Sequence, residues 1–173
     1  METQAHVEHA RPRLLFVDDE QRVLNSMRIM FRREFDLFLA SHGAEALNIV
    51  KDEDIDVIIA DHRMPQMTGV EVLTKVRKLS PRTVRILLTG YADLDAVEGS
   101  INDGEVFRFL TKPCAPKQLR DTVELAARLA RETPGMPPED EHELDDSEAL
   151  EIILDGDRAF EVGGNSASNA PQR

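Results

Sequence analysis

The sequence predicts an α/β fold in which helices cover both faces of a five-stranded parallel sheet. Short apolar runs, rich in β-branched residues, alternate with segments whose apolar residues recur at helical spacing. The run Val57-Ile58-Ile59-Ala60 contains no polar residue, which is typical of a central strand with helices on both faces. A hydrophobic content of 41% in 173 residues is enough for one domain with a sizeable core.

Five strand and helix pairs account for the order of these segments. The predicted strands are Leu14 to Val17, Phe35 to Ala40, Ile55 to Ala60, Val84 to Thr89 and Val106 to Leu110. The first four helices are predicted from the spacing of Leu24, Met27 and Phe31, of Leu47 and Val50, of Leu73 and Val76, and of Leu94, Val97 and Ile101. The last helix begins at Pro116, a favoured first-turn residue, and carries Leu119, Val123, Ala127 and Ala130 along one side. The pairs together predict a doubly wound sheet.

The composition changes after Arg131, where several prolines and a glycine end the last helix. From Thr133 to Arg173 there are eleven acidic residues against two arginines, so this segment carries about −9 of the formal net charge of −12. Such a segment cannot bury enough apolar surface to offset its ordering entropy. We therefore predict a flexible N-terminus over residues 1–12, a folded domain over 13–132 and a mostly disordered acidic tail over 133–173. Leu150, Ile153 and Leu154 predict a short helix near 147–154.

The overall charge and the cysteine content exclude several classes of protein. A pI near 4.8 argues against nucleic-acid binding, which needs clustered lysines and arginines. No run approaches the roughly 18 apolar residues of a transmembrane helix, and the N-terminus lacks the apolar core of a signal peptide. The single cysteine, Cys114, excludes an internal disulfide and suits a reducing compartment. We predict a cytoplasmic protein with no membrane partner.

Polar side chains collect where the predicted strands end. Asp18 and Asp19 follow the first strand, Asp61 follows the third, Thr89 ends the fourth and Lys112 follows the fifth. In parallel α/β sheets the carboxyl ends of the strands meet at one edge, so these side chains are expected to lie together. Three carboxylates at one place repel one another unless they bind a cation or hold a proton. A hard divalent cation, Mg²⁺ or Mn²⁺, fits this set of oxygen ligands.

Asp61 is the candidate nucleophile. A carboxylate can attack phosphorus to form an acyl phosphate. Lys112 would then pair with one phosphoryl oxygen, and the Thr89 hydroxyl would donate to another. The expected metal ligands are Asp18, Asp19, Asp61 and the backbone carbonyl of Arg63.

Four motifs carry a resemblance to a known family. The stretches LLFVDDE, VIIADHRMPQMTGVEVL, ILLTGYAD and FRFLTKP occur in this order within residues 13 to 131. The chain thereby resembles the response-regulator receivers of two-component systems, which have a flavodoxin-like (βα)5 fold. The stretches HRMPQMTG and LLTGYAD are especially similar to those of receivers attached to cyclic-di-GMP phosphodiesterase domains. No such domain is present in this sequence, so that output is not carried over.

The resemblance implies roles for individual residues. Asp61 would be phosphorylated by a sensor histidine kinase or a phosphotransfer protein, and Thr89 with Phe109 would form the switch. Arg63 and Tyr91 would tune the lifetime of the phosphoryl group. The Lys112-Pro113 peptide bond would be cis. The protein would be no enzyme beyond assisting its own phosphorylation and dephosphorylation.

The expected output is a change at the face formed by the predicted fourth helix, fifth strand and last helix. Its partner would be a downstream effector, a second copy of the chain, or the tail segment Glu148 to Leu154.

Other interpretations stay open at this point. A pseudo-receiver would keep the fold and bind partners without phosphorylation. A Mg²⁺-dependent phosphatase or phosphotransferase would need a second acid near the nucleophile, but Arg63 stands two positions after Asp61. Glu20 is expected to cap the first helix, and Asp18 and Asp19 could do the same. His62 is expected to point into solvent, and Phe109 could be an ordinary core residue.

Overall fold

The computed structural model describes residues 11–93, 97 and 106–132. The strands are β1 (Arg13–Val17), β2 (Asp36–Ala40), β3 (Val57–Asp61), β4 (Val84–Gly90) and β5 (Arg108–Lys112). The helices are α1 (Gln21–Phe31), α2 (Gly43–Asp52), α3 (Gly69–Leu79) and α4 (Pro116–Glu132), with a short 3-10 helix over Tyr91–Asp93. The strands form one parallel sheet in the order β2-β1-β3-β4-β5. The predicted five-stranded parallel sheet is confirmed.

Alternate residues of the central strands face opposite sides of the sheet. On one side, Leu15 and Ile58 belong to a buried front cluster with residues of α2 and α3. On the other side, Leu14 and Ile59 belong to a buried back cluster with residues of α1 and α4. Because both faces of β1 and β3 are covered, their stretches over residues 14–17 and 57–60 contain only apolar residues, as is typical of central parallel strands. The sheet is doubly wound, as predicted.

Several strand boundaries differ from the prediction by one or two residues. Asp61 and Lys112 are the last residues of β3 and β5 rather than the residues that follow those strands, and Val106 precedes β5. The ladder continues through the polar residues, with Asp61 opposite Leu88 and Lys112 opposite Gly90. An apolar run marks buried side chains, whereas a strand ends where its backbone pairing ends. The two ends need not coincide.

Some predictions fall on residues that the structure does not describe. Of the predicted fourth helix only Val97 is described, and it is helical and buried in the front cluster. The predicted acidic tail over 133–173, with its short helix near 147–154, lies outside the described residues, as do residues 1–10 of the predicted flexible N-terminus. Among the described helices, none has the length and apolar character that crossing a bilayer requires.

Candidate functional site

The sheet topology brings the acidic residues together. β1 lies next to β3, with Val17 opposite Ala60, so the residues that follow them emerge side by side. Asp18 comes directly after β1, and its backbone N–H donates to the carbonyl of Ala40 on β2 at 3.1 Å. The two strands therefore deliver Asp18 and Asp61 to the same point at the carboxyl edge of the sheet.

Three carboxylates form a compact cluster at this edge. Carboxylate oxygens of Asp18, Asp19 and Asp61 all lie within 4.8 Å of one another. Asp18 is fully buried and Asp61 is nearly so, whereas Asp19 is exposed. The cluster is thus open to solvent on one side and walled by the sheet on the other.

Lys112 supplies a positive charge to the cluster. Its Nζ lies 2.6 Å from Asp61 Oδ1 and 3.3 Å from Asp18 Oδ2. The lysine comes from β5, which is separated from β3 by β4, so its long side chain spans the end of one strand. The Lys112-Pro113 peptide bond is cis, as predicted.

The local environment changes the pKa values of two of these groups. Burial raises the pKa of Asp18, although the N–H of Glu20, which donates to Asp18 Oδ1 at 2.8 Å, and the charge of Lys112 both oppose that effect. Burial by itself would lower the pKa of Lys112, but its hydrogen bond to Asp61 and the charge of Asp18 outweigh burial and raise it. The raised pKa values of Asp18 and Lys112 both indicate that the acid cluster favours a bound proton or a cation.

The donor set fits a hard divalent cation. Three carboxylates face one ammonium group, so negative charge remains in excess at the site. Oxygen ligands at this spacing, with one side open for water, match what Mg²⁺ or Mn²⁺ accepts in proteins. The residues present therefore fit the predicted metal.

The loop after β3 is held by the start of α3. Thr68 and Glu71 form a capping box, in which each side chain accepts from the other residue's backbone N–H. Gly69 lies so close to the strand that a Cβ atom there would come within 2.3 Å of the Asp61 carbonyl oxygen and 2.8 Å of Leu87 Cδ1. A glycine at this position therefore lets α3 begin directly against Asp61.

Thr89 and Phe109, the predicted switch residues, lie on neighbouring strands. Thr89 is fully buried near the end of β4, and its hydroxyl donates to the carbonyl of Gly90 at 3.3 Å. Among the described residues, no hydrogen bond joins the Thr89 side chain to Asp61. Phe109 is half-buried and packs against the front cluster. The structure therefore places both residues near the site without joining them to the acids.

Arg63 and Tyr91, the predicted lifetime residues, are both exposed and follow the ends of β3 and β4. The Tyr91 side chain is 83% exposed. Arg63 is held by Asp93, with Nε 2.6 Å from Oδ2 and Nη2 2.7 Å from Oδ1. This ion pair raises the pKa of Arg63 and lowers that of Asp93. Sequence reasoning missed Asp93, because no spacing rule relates a residue after β4 to one after β3.

Two local predictions are wrong. Glu20 occupies the N-cap position of α1 but its side chain makes no capping hydrogen bond; instead Asp18 Oδ1 accepts the Glu20 N–H. His62 is half-buried, with Nδ1 fully enclosed, instead of pointing into solvent. The loop after His62 folds back, so that the Gly69 N–H donates to the His62 carbonyl at 3.1 Å. The alternation of a strand pattern does not predict this folding back.

Asp18→Asn is expected to raise the free energy of unfolding of the metal-free protein by about 1 kcal/mol at neutral pH. Burial raises the pKa of Asp18 above that of the unfolded chain, so stability falls as the pH rises through the interval between the two values. The extra stability of Asp18→Asn over the wild type should therefore decrease as the pH falls towards about 4, the pKa of an aspartate in the unfolded chain.

Urea unfolding in chelator at several pH values measures this effect. The control is Asp54→Asn, which removes an exposed carboxylate from the opposite end of the sheet. A loss of stability at neutral pH in Asp18→Asn would contradict the argument.

Comparison with known proteins identifies relatives of this chain. The family model described as "Response regulator receiver domain" matches residues 14–124. The hydrogenase transcriptional regulatory protein HoxA of Bradyrhizobium diazoefficiens is 33% identical over 118 residues, covering 68% of this chain and 24% of that protein. Sporulation initiation phosphotransferase F of Bacillus subtilis is 30% identical over 113 residues, covering 65% of this chain and 90% of that protein.

A solved structure agrees with these sequence matches. The signal receiver domain of an HD domain-containing protein from Pseudomonas fluorescens Pf-5 superposes with a TM-score of 0.66 at 30% identity, covering 71% of this chain and 99% of that one. The chain spans about a quarter of the length of the HoxA proteins that it matches. The family match over residues 14–124 spans the sheet and the acid cluster of this chain.

Proposed function

Because the chain belongs to the family of response regulator receiver domains, we propose that Asp61 accepts a phosphoryl group from a sensor histidine kinase or a phosphotransfer protein. One observation carries the proposal. The nearly buried Asp61 carboxylate lies 2.6 Å from Lys112 Nζ and within 4.8 Å of two further carboxylates. A relative that covers most of its own length in the match is named a phosphotransferase, which supports the same chemistry.

The transfer is an in-line displacement at phosphorus. An Asp61 carboxylate oxygen forms a bond to phosphorus while the bond from phosphorus to the donor's histidine nitrogen breaks, and the electron pair of that bond stays on nitrogen. Lys112 already faces the attacking carboxylate, so it can pair with a phosphoryl oxygen as charge builds there. The Thr89 hydroxyl would donate to a second phosphoryl oxygen after a small movement. Hydrolysis by water later restores the free carboxylate.

Asp18, Asp19, Asp61 and the backbone carbonyl of Arg63 would hold Mg²⁺ or Mn²⁺. When bound, the ion supplies positive charge that offsets the repulsion between the carboxylates and the incoming phosphoryl oxygens. Lys112 alone balances one of the three carboxylates. Transfer should therefore depend on the metal.

The output is proposed to be a change of binding surface. The phosphoryl group would bind the Thr89 hydroxyl, and Phe109 would rotate inward. These movements would alter the face expected to be formed by β5, the last helix α4 and the predicted helix around Val97. The proposed partner is a downstream effector or a second copy of the chain, and location in the cytoplasm stays a prediction. The domain is proposed to act as a switch that assists its own phosphorylation and dephosphorylation, not as an enzyme.

Labelling with acetyl phosphate tests the function. We expect the full chain to gain one phosphoryl group in the presence of Mg²⁺, to gain none in chelator, and then to lose the group slowly. Intact-protein mass spectrometry over time measures both steps. Continuous turnover of the donor would favour a phosphatase, and no labelling with Mg²⁺ would favour a pseudo-receiver. Either result would overturn the proposal.

The lifetime of the phosphoryl group should depend on Arg63 and Tyr91. Both side chains are bulky and exposed, and the two residues follow the ends of β3 and β4, so we expect them to restrict the approach of water to phosphorus. Replacing both with alanine is expected to speed the loss of the label by about tenfold, equivalent to about 1.4 kcal/mol in the barrier. The decay is followed after removal of the donor. An unchanged rate would exclude both residues from this role.

A further inference from the structure

The ion pair between Arg63 and Asp93 joins two loops at the mouth of the site. Arg63 lies two residues after Asp61, the last residue of β3, and Asp93 ends the 3-10 helix that follows β4. Both guanidinium contacts are short, at 2.6 and 2.7 Å, so the planar fork of the arginine is matched by both oxygens of one carboxylate. The Arg63 side chain is nevertheless 72% exposed, whereas that of Asp93 is 20% exposed. An ion pair with one partner so open to solvent is weak and exchanges easily.

The same guanidinium has a second partner within electrostatic reach. Arg63 stands two residues after Asp61 on the loop that leaves β3. The pKa of Arg63 is raised mainly by its hydrogen bond to Asp93 and the charge of Asp93, and the charge of Asp61 adds to this effect. A phosphoryl group on Asp61 would carry a charge of about −1.5 to −2 and three acceptor oxygens, against a single charge on Asp93. An arginine fork fits phosphate oxygens as well as it fits a carboxylate. After phosphorylation Asp93 and the phosphoryl group would compete for one cation.

We propose that on phosphorylation the Arg63 guanidinium breaks its ion pair with Asp93 and binds the phosphoryl oxygens instead. Asp93 is then a positioning residue, because its ion pair with Arg63 limits this exchange. The inference rests on the proposed function of Asp61. Release of Asp93 frees the 3-10 helix Tyr91–Asp93 from the loop after β3, so phosphorylation changes the connection that leads out of β4.

Removing the competitor should strengthen the hold of Arg63 on the phosphoryl group. Asp93→Asn, in the full chain labelled with acetyl phosphate and Mg²⁺, is expected to slow the loss of the label by up to about fivefold, the range set by one exposed ion pair. In an Arg63→Gln background the same change should have no effect, because the cation that Asp93 restrains is gone. Asp93→Glu should restore the wild-type rate, since it returns the carboxylate.

The matched control is a second exposed arginine and aspartate pair at the other end of the sheet. Arg82 Nη2 lies 2.8 Å from Asp54 Oδ1, and Asp54→Asn should leave the decay unchanged. A direct readout is the Nε–H resonance of Arg63 in nitrogen-edited NMR spectra. It should shift when beryllofluoride, a phosphoryl mimic, is added to the wild type, and should already be shifted in mimic-free Asp93→Asn.

The outcomes separate the two ideas. Failure of wild-type labelling overturns the proposed function together with this inference. Normal labelling with an unchanged or faster decay in Asp93→Asn overturns the inference alone. An equal effect of Asp93→Asn in the Arg63→Gln background does the same, because the effect would then not pass through Arg63. Slower decay that requires Arg63 supports the exchange.

Discussion

Asp61→Asn is expected to abolish stable labelling of the chain by acetyl phosphate or by a phosphorylated histidine kinase. The amide cannot form the acyl phosphate, although it preserves the size of the side chain and an oxygen that can accept from Lys112. The fold should therefore survive while the chemistry is lost. Intact mass and acid-labile label measure the result, and circular dichroism checks the fold.

Asp54→Asn serves as the matched control for this loss. Asp54 carries the same side chain, is exposed and pairs with Arg82 away from the acid cluster. It should label at the wild-type rate. Stable labelling of Asp61→Asn, with the label mapped to another residue, would show that the nucleophile has been misidentified.

Lys112→Met is expected to slow labelling by about 10²–10³-fold, the loss measured when one preorganised charge-stabilising donor is removed from a transfer site. Lys112 is the cation that contacts both buried carboxylates, so its loss leaves the phosphoryl oxygens to approach uncompensated negative charge. Methionine keeps the length and apolar stem of lysine while removing the charge. Initial labelling rates at saturating Mg²⁺ give the effect.

Lys117→Met is the control for Lys112→Met. Lys117 lies in the first turn of α4, is 86% exposed and pairs with Asp121 of the same helix. Its substitution tests the loss of a lysine charge close in sequence but outside the site. A rate for Lys112→Met within twofold of that control would rule out a direct contact between Lys112 and the transferring group.

Much of the fold could be predicted from local patterns. The polar-free run Val57 to Ala60 marks a strand buried on both faces, and the structure places alternate residues of that run in the front and back clusters. The acids after the first and third strands, with Lys112 at the end of the fifth, predicted a shared site because parallel strands end at one edge. These predictions needed only side-chain chemistry and periodicity, which are properties of the chain itself.

Other features depend on contacts between segments that are distant in sequence. The pairing of Arg63 with Asp93 arises because β3 and β4 are neighbours, which brings residues thirty positions apart within 2.6 Å. Local turns also depart from the strand pattern: the Gly69 N–H donates to the His62 carbonyl, and the Glu20 N–H donates to Asp18 Oδ1 while the Glu20 side chain makes no capping hydrogen bond. A strand pattern records which face a residue occupies. It does not record which of several nearby polar groups forms a given hydrogen bond. That choice depends on small differences in distance, which are set only when the strands and loops have packed together.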